Sequence, residues 1–174
     1  MPEAILPAWL DDARRYYCEI GGPRDTVRVL LVDGDEESPE RPWPLRLRLE
    51  PASRFSRRIR VLDAEDRERG VISRAGLVPG ARYAMRRGDE VVWTLAIRSI
   101  LLRRHALDIA GGESWTFETP FFNLRIRGIT RGTPGLLGGV GLSKRQWCLA
   151  IEPGRDTPDL LAAIAFLHRR WWHS

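Results

Sequence analysis

Apolar and polar residues alternate strictly through several short stretches of this chain. Arg46 and Arg48 separate Leu45, Leu47 and Leu49; Arg60 separates Ile59 from Val61; Arg125 separates Leu124 from Ile126. Successive side chains of an extended strand point to opposite faces, so this period of two predicts strands with one buried and one wet face. The leucines, isoleucines and valine of these stretches are the expected core positions, and their arginines face water. Further strands are expected at 71–74, 81–87, 91–98, 105–110, 114–118 and 146–152. Turn-forming residues separate them: Asp66 to Gly70, Val78-Pro79-Gly80, Arg87-Gly88-Asp89, Gly111-Gly112 and Thr119-Pro120. From about Val27 to Glu152 this even spacing predicts an all-β sandwich or barrel.

The pattern changes after Gly154. Thr157 suits a helix N-cap, Pro158 the first helical position and Asp159 the positive end of the helix dipole. Leu160 to Leu167 is then apolar on every side, which predicts a helix buried on every side. His168, Arg169 and Arg170 complement its negative end. The helix is expected at about 157–172, with Leu160, Leu161, Ile164, Phe166 and Leu167 as its structural core. A closed sheet with this helix through its middle would bury it completely, and the alanines would let strands approach.

The first residues read differently. Trp9, Ala13, Tyr16 and Ile20 recur at helical spacing, which predicts an amphipathic helix over Pro7 to Ile20. Tyr16-Tyr17-Cys18 reads equally as the start of the first strand. The organisation expected is an N-terminal segment, 1–24, and one barrel domain, 25–174. Residues 33 to 44 are expected to form a loop.

Size and composition narrow the class. A chain of 174 residues with 43% apolar and 29% charged residues is expected to fold as one globular domain. The longest apolar run, Leu160 to Leu167, spans about 12 Å as a helix, too short to cross a bilayer. Two cysteines, Cys18 and Cys148, and no basic apolar leader fit a reducing, cytoplasmic setting, with peripheral membrane association. Positive residues outnumber negative ones, 28 to 23, and Lys144 is the only lysine. Arginine binds phosphate with two parallel hydrogen bonds, so the skew reads either as selection for phosphate binding or, the reading favoured here, as a GC-rich coding bias.

The order of motifs resembles a known superfamily. Arg60-Val61-Leu62-Asp63, a turn, and Gly70-Val71-Ile72 resemble the opening of the tubby-like C-terminal barrel. Ala81-Arg82-Tyr83-Ala84-Met85, then 99–109, then Trp115-Thr116-Phe117-Glu118, then Trp147 to Glu152 before the apolar helix continue that order. Within the superfamily the resemblance is to the phospholipid scramblase and LURP-one-related branch, over about residues 45 to 172. It implies a closed, mostly β barrel of about twelve strands around the C-terminal helix. The chain departs from eukaryotic scramblases in having no Pro-rich arm, no cysteine cluster and no acidic calcium loop, which argues against calcium-driven scrambling.

Sites for chemistry are sparse. Asp33-Gly34-Asp35-Glu36-Glu37 lacks the ligand spacing of an EF-hand and is expected to be a solvated loop. Gly135-Leu136-Leu137-Gly138-Gly139-Val140-Gly141 has no following Gly-Lys-Ser/Thr or helix, and is expected to be a flexible connecting loop rather than a phosphate cradle. His105, His168, His173, Cys18 and Cys148 lack zinc-site spacing. Ser143 lies outside any nucleophile elbow, and His105 and Asp108 fall on opposite faces of a strand. No catalytic residue, metal or cofactor is expected, and no enzyme activity.

The remaining expectation is binding. Arg57, Arg58, Arg60, Arg103, Arg104, Arg125 and Arg127 are the candidate headgroup-binding residues, attracting anionic phospholipid or phosphoinositide. Trp9, Tyr16 and Tyr17 are candidates to dip into a membrane interface, and Trp171-Trp172 read either as interface anchors or, the reading favoured here, as a plug of the barrel mouth. Nucleic acid is disfavoured, because stacking aromatics are not interleaved with the basic residues. Lipid scrambling and a protein-interaction scaffold are the alternative functions.

Overall fold

A computed structural model describes residues 6–22, 24–32, 43–99, 104–118, 125–140 and 145–172. Twelve strands form one closed barrel. They are Arg14–Gly21 (β1), Thr26–Leu31 (β2), Leu45–Pro51 (β3), Ile59–Asp63 (β4), Glu68–Arg74 (β5) and Tyr83–Arg87 (β6). Glu90–Ser99 (β7), Arg104–Ile109 (β8), Glu113–Glu118 (β9), Arg125–Thr130 (β10), Thr133–Val140 (β11) and Gln146–Ile151 (β12) complete it. Each strand pairs antiparallel with the next, and β1 closes the ring on β12 through partners such as Tyr16 with Leu149. The closure leaves no edge strand to template aggregation.

Inward positions follow the alternation. Tyr16, Cys18 and Ile20 on β1, Val27 and Val29 on β2, and Leu47 and Leu49 on β3 are all buried. The outward positions between them are Tyr17, Glu19, Arg28 and Arg48, three of them charged. The helix Pro158–Trp172 (α1) fills the lumen. Every residue from Leu160 to His168 is buried. Phe166 meets Tyr83 and Trp93 at ring-centroid distances of 5.0 and 6.2 Å, and His168 stacks on Trp147 at 4.4 Å, so the helix touches walls on several sides. Leu160, Leu161, Ile164, Phe166 and Leu167 form the structural core expected of them. Ala162, Ala163 and Ala165 have no exposed surface, consistent with close approach of the strands. Thr157 caps the helix start: its Oγ1 accepts the Leu160 N–H at 3.3 Å and its carbonyl accepts the Leu161 N–H.

Two segments depart from expectation. No amphipathic helix covers Pro7 to Ile20; a single 3-10 turn, Ala8–Asp12, leads into β1. Tyr16 and Ile20 are four residues apart, a spacing that satisfies both the helical period and the strand period, and closure with β12 and β2 decides for the strand. Within the 1–24 segment, Arg14–Gly21 is therefore a strand of the barrel wall.

The glycine-rich stretch from Gly135 is also not a loop, since Thr133–Val140 is strand β11. Its glycines answer to bulky neighbours. A Cβ on Gly135 would lie 2.8 Å from Trp115, and one on Gly138 would lie 2.5 Å from both Ile126 and Leu149. The missing side chains make room for large ones on adjacent strands. Leu124 and the acidic run 33–37 lie outside the described residues.

Candidate functional site

Among the described residues, the barrel wall does not gather the candidate arginines into one patch. β4 and β10 stand six places apart in a ring of twelve, which puts Arg60 and Arg127 on opposite walls. Arg60 lies between two carboxylates, with Nε 2.9 Å from Glu68 and Nη1 3.6 Å from Glu50. Arg104 pairs with Glu118 across β8 and β9 at 3.1 Å. Arg103 and the side chain of Arg125 lie outside the described residues. Arg57 and Arg58 sit in the exposed loop between β3 and β4.

Charge is sorted by the two ends of the barrel instead. In an antiparallel meander every second loop falls at the same end. The β1–β2, β3–β4 and β5–β6 loops share one end, and α1 finishes there: Arg169 donates to the Asp25 carbonyl in the β1–β2 turn at 3.3 Å. In the described residues of these three loops stand Arg24, Arg54, Arg57, Arg58 and Arg82, with Asp25 the only carboxylate. Arg74 and Arg98 stand near the same end at the tips of β5 and β7, as does the Arg104–Glu118 pair at the tips of β8 and β9. The opposite end, where α1 begins, is acidic. Asp11, Asp12, Glu65, Asp66, Asp89 and Asp156 lie in its loops, beside Arg67, Arg131 and Arg155. The helix dipole runs against this sorting, with its positive N-terminus at the acidic end and its negative C-terminus at the basic one.

A shallow cleft of about 340 Å³ runs down the wall below the basic end, lined by Arg58, Glu68, Gly70, Val71, Ser73, Arg86, Arg87 and Gly88. Arg87 is tied down by the Arg69 carbonyl at 2.9 Å and by Asp159 at 3.3 Å. Arg60 neutralises Glu68 from the side. Register places Arg86 here, opposite Val71, and its guanidinium donates to the Asp89 carbonyl at 3.4 Å.

Both mouths of the barrel are closed by side chains. At the basic end Trp171 packs on Trp147 at 4.8 Å and on His105 at 5.6 Å, and Arg170 lies over the Tyr83 ring at 4.6 Å while donating to its hydroxyl. At the acidic end Arg155 joins Glu113 at 2.6 Å and Glu152 at 2.5 Å, beside the Trp115 ring. There too the Tyr16 hydroxyl donates to Asp156 at 2.5 Å.

The aromatic residues expected at a membrane interface have three different surroundings. Tyr16 is buried on the inner face of β1. Trp9 is half-buried at the acidic end, its indole N–H donating to the Pro134 carbonyl at 3.1 Å. Tyr17 faces outward and packs edge-on against Trp43 at 5.3 Å. Tyr16 in particular cannot reach a bilayer without unmaking the wall, so it is removed from that role. For Tyr16 and Tyr17 the placement is decided by pairing of β1 with β12 and β2, which joins Tyr16 to Leu149, far away in sequence.

The other candidate groups are also separated. His105 points inward and Asp108 outward, where Asp108 accepts the Ser114 hydroxyl at 2.7 Å. Cys18 and Cys148 occupy neighbouring strands on opposite faces, one buried and one exposed. Burial pushes the Cys18 thiol pKa well up, which disfavours the reactive thiolate. Among the described residues no three His, Cys, Asp or Glu side chains cluster as a metal site would require, and no helix is long and apolar enough to cross a membrane. No known protein family, curated protein or solved structure matches this chain.

Proposed function

We propose that this chain is a non-catalytic binding domain for anionic membrane surfaces, a tubby-like barrel of the scramblase and LURP-one-related branch. The twelve-stranded ring around a C-terminal helix supports the tubby-like part of the reading. The observation that carries the function is the sorting of charge: Arg24, Arg54, Arg57, Arg58 and Arg82 crowd one end with a single carboxylate in the same loops. A basic residue near an anionic leaflet contributes about 1 kcal/mol. Several on one end, opposed by carboxylates on the other, also orient the molecule as it approaches. The binding surface is thus the loop end. Arg57 and Arg58 belong to it; Arg60 and Arg104 are held by carboxylates, and Arg127 stands on another wall.

Co-sedimentation with vesicles tests the proposal. The wild-type protein is expected to bind vesicles containing phosphatidylserine or a phosphoinositide at physiological salt, and not neutral vesicles. Changing Arg54, Arg57, Arg58 and Arg82 to Glu should abolish binding, while Arg127→Glu should leave it intact. Binding of the wild type only at low salt would reduce the end to a loosely screened charge and overturn the proposal. Transbilayer movement of a labelled lipid in the same vesicles would replace it with scrambling.

A further inference from the structure

This inference rests on the anionic-surface reading and concerns how that surface is met. Among the described residues, the most exposed large apolar side chains are Leu77, 93% exposed, and Phe55, 91% exposed. Single exposed apolar residues are ordinary on a protein surface. These two are set apart by where the meander puts them. Phe55 lies in the β3–β4 loop and Leu77 in the β5–β6 loop, so both stand at the basic end. The two loops are separated by about two strand spacings, roughly 10 Å.

Local turns present both side chains outward. The Ser56 N–H bonds the Ser53 carbonyl at 3.1 Å and closes a turn with Phe55 near its tip. The Ala81 N–H bonds the Val78 carbonyl at 3.2 Å. Pro79 and the left-handed Gly80, φ 73°, occupy the central positions of that second turn, which leaves Leu77 at its shoulder. Each apolar tip has cations beside it in sequence. Arg54 reaches over the Phe55 ring at 5.8 Å, Arg57 and Arg58 follow it, and Arg82 closes the Leu77 loop.

We infer that the barrel docks end-on to an anionic bilayer, with Phe55 and Leu77 entering the boundary between headgroups and acyl chains and the flanking arginines holding phosphates above them. A free anion in solution would be satisfied by the arginines alone and gives the exposed apolar tips nothing to bury against. A bilayer takes both, because its charged layer and its apolar layer lie a few ångströms apart. Arginine stems are long enough to stay at the phosphates while their neighbours go deeper. The helix axis then stands along the membrane normal, with the acidic end facing away.

The test uses the full chain with Phe55→Ser and Leu77→Ser together. Both side chains are solvent-exposed, so the thermal midpoint should not move. Binding to phosphatidylserine vesicles at physiological salt should weaken about tenfold or more, because both side chains lose their apolar contact. In a second experiment an environment-sensitive dye is attached at Leu77→Cys in a Cys148→Ser background and compared with the same dye at Asp89→Cys, at the acidic end. The dye at position 77 should shift to the blue on anionic vesicles, and the dye at 89 should not. If the wild type binds but the double variant binds equally and the dye at 77 stays silent, end-on docking is wrong while the lipid reading stands. If the wild type binds no anionic vesicle, both readings fall. Equal vesicle binding by the double variant with loss of a protein partner would make the tips a protein contact and overturn the inference.

Discussion

The Tyr16 hydroxyl and the Asp156 carboxylate, 140 residues apart in the chain, meet at 2.5 Å. The bond joins the strand that closes the barrel to the segment that launches the central helix. Arg14 supports the same carboxylate at 3.3 Å. Burial first, and the neighbouring Asp156 second, push the Tyr16 pKa up to about 12. The folded state therefore holds this proton more tightly than the unfolded chain, whose tyrosines ionise near 10. The contribution is complete below about pH 10 and is lost as pH rises from there through 12. Tyr16→Phe is expected to cost about 0.5–1.5 kcal/mol near neutrality and to flatten the fall in stability above pH 10. Urea denaturation across that range checks both, and an unchanged alkaline slope would show that the folded state does not hold the Tyr16 proton more tightly than the unfolded chain.

Gly70 has a different reason to be glycine. It is buried on β5, and a Cβ there would lie 2.7 Å from the Met85 Cε and 2.8 Å from the Arg86 carbonyl oxygen. A methionine tip can swing aside, but a backbone carbonyl in a paired strand cannot. Gly70→Ala is expected to lower stability by about 1–3 kcal/mol through forced displacement of β6. The midpoint of chemical denaturation measures it. An unchanged midpoint would mean that the strands have room to separate.

Asp63 organises the turn between β4 and β5. Its Oδ1 accepts the N–H groups of Glu65 at 3.0 Å and Arg67 at 2.9 Å, and its Oδ2 accepts the Arg67 guanidinium at 2.9 Å. Burial opposes its charge, but the bonds from Arg67 and Glu65 prevail and hold the carboxyl below the usual carboxylate range. A lowered folded pKa stabilises above the unfolded value, about 3.9, and the benefit disappears as pH falls through the folded one. Asp63→Asn should therefore be less stable at neutral pH and lose less stability on acidification than the wild type. Thermal midpoints from pH 7 to pH 2 test this, and parallel curves for the two proteins would refute it.

Much of the architecture was readable in advance. Leu47 and Leu49, or Ile59 and Val61, lie on the inner wall because period two is a property of the extended backbone itself. The turn residues around Asp66, Gly80 and Gly88 mark chain reversals because the left-handed conformations observed there suit Asp and Gly. Thr157 and the apolar run after it announced a capped helix buried from Leu160 to Leu167. Local chemistry failed where two patterns coincided or where the cause lay on another strand. Tyr16 and Ile20 fit a helix as well as a strand. The glycines of β11 looked like a loop because the residues that require them, Trp115, Ile126 and Leu149, are distant in sequence.

Alternation and capping act between near neighbours, so strand faces, reversals and the buried helix were already written in the order of residues, as was the excess of arginine. Where that arginine collects was settled only by closure of the ring. Antiparallel strands deliver every second loop to one end, which places Arg24, Arg57 and Arg82 of three separate loops at the same end, while register pairs Arg60 and Arg104 with carboxylates on neighbouring strands. Charge acts through space, and the distances between these groups exist only once the barrel is closed.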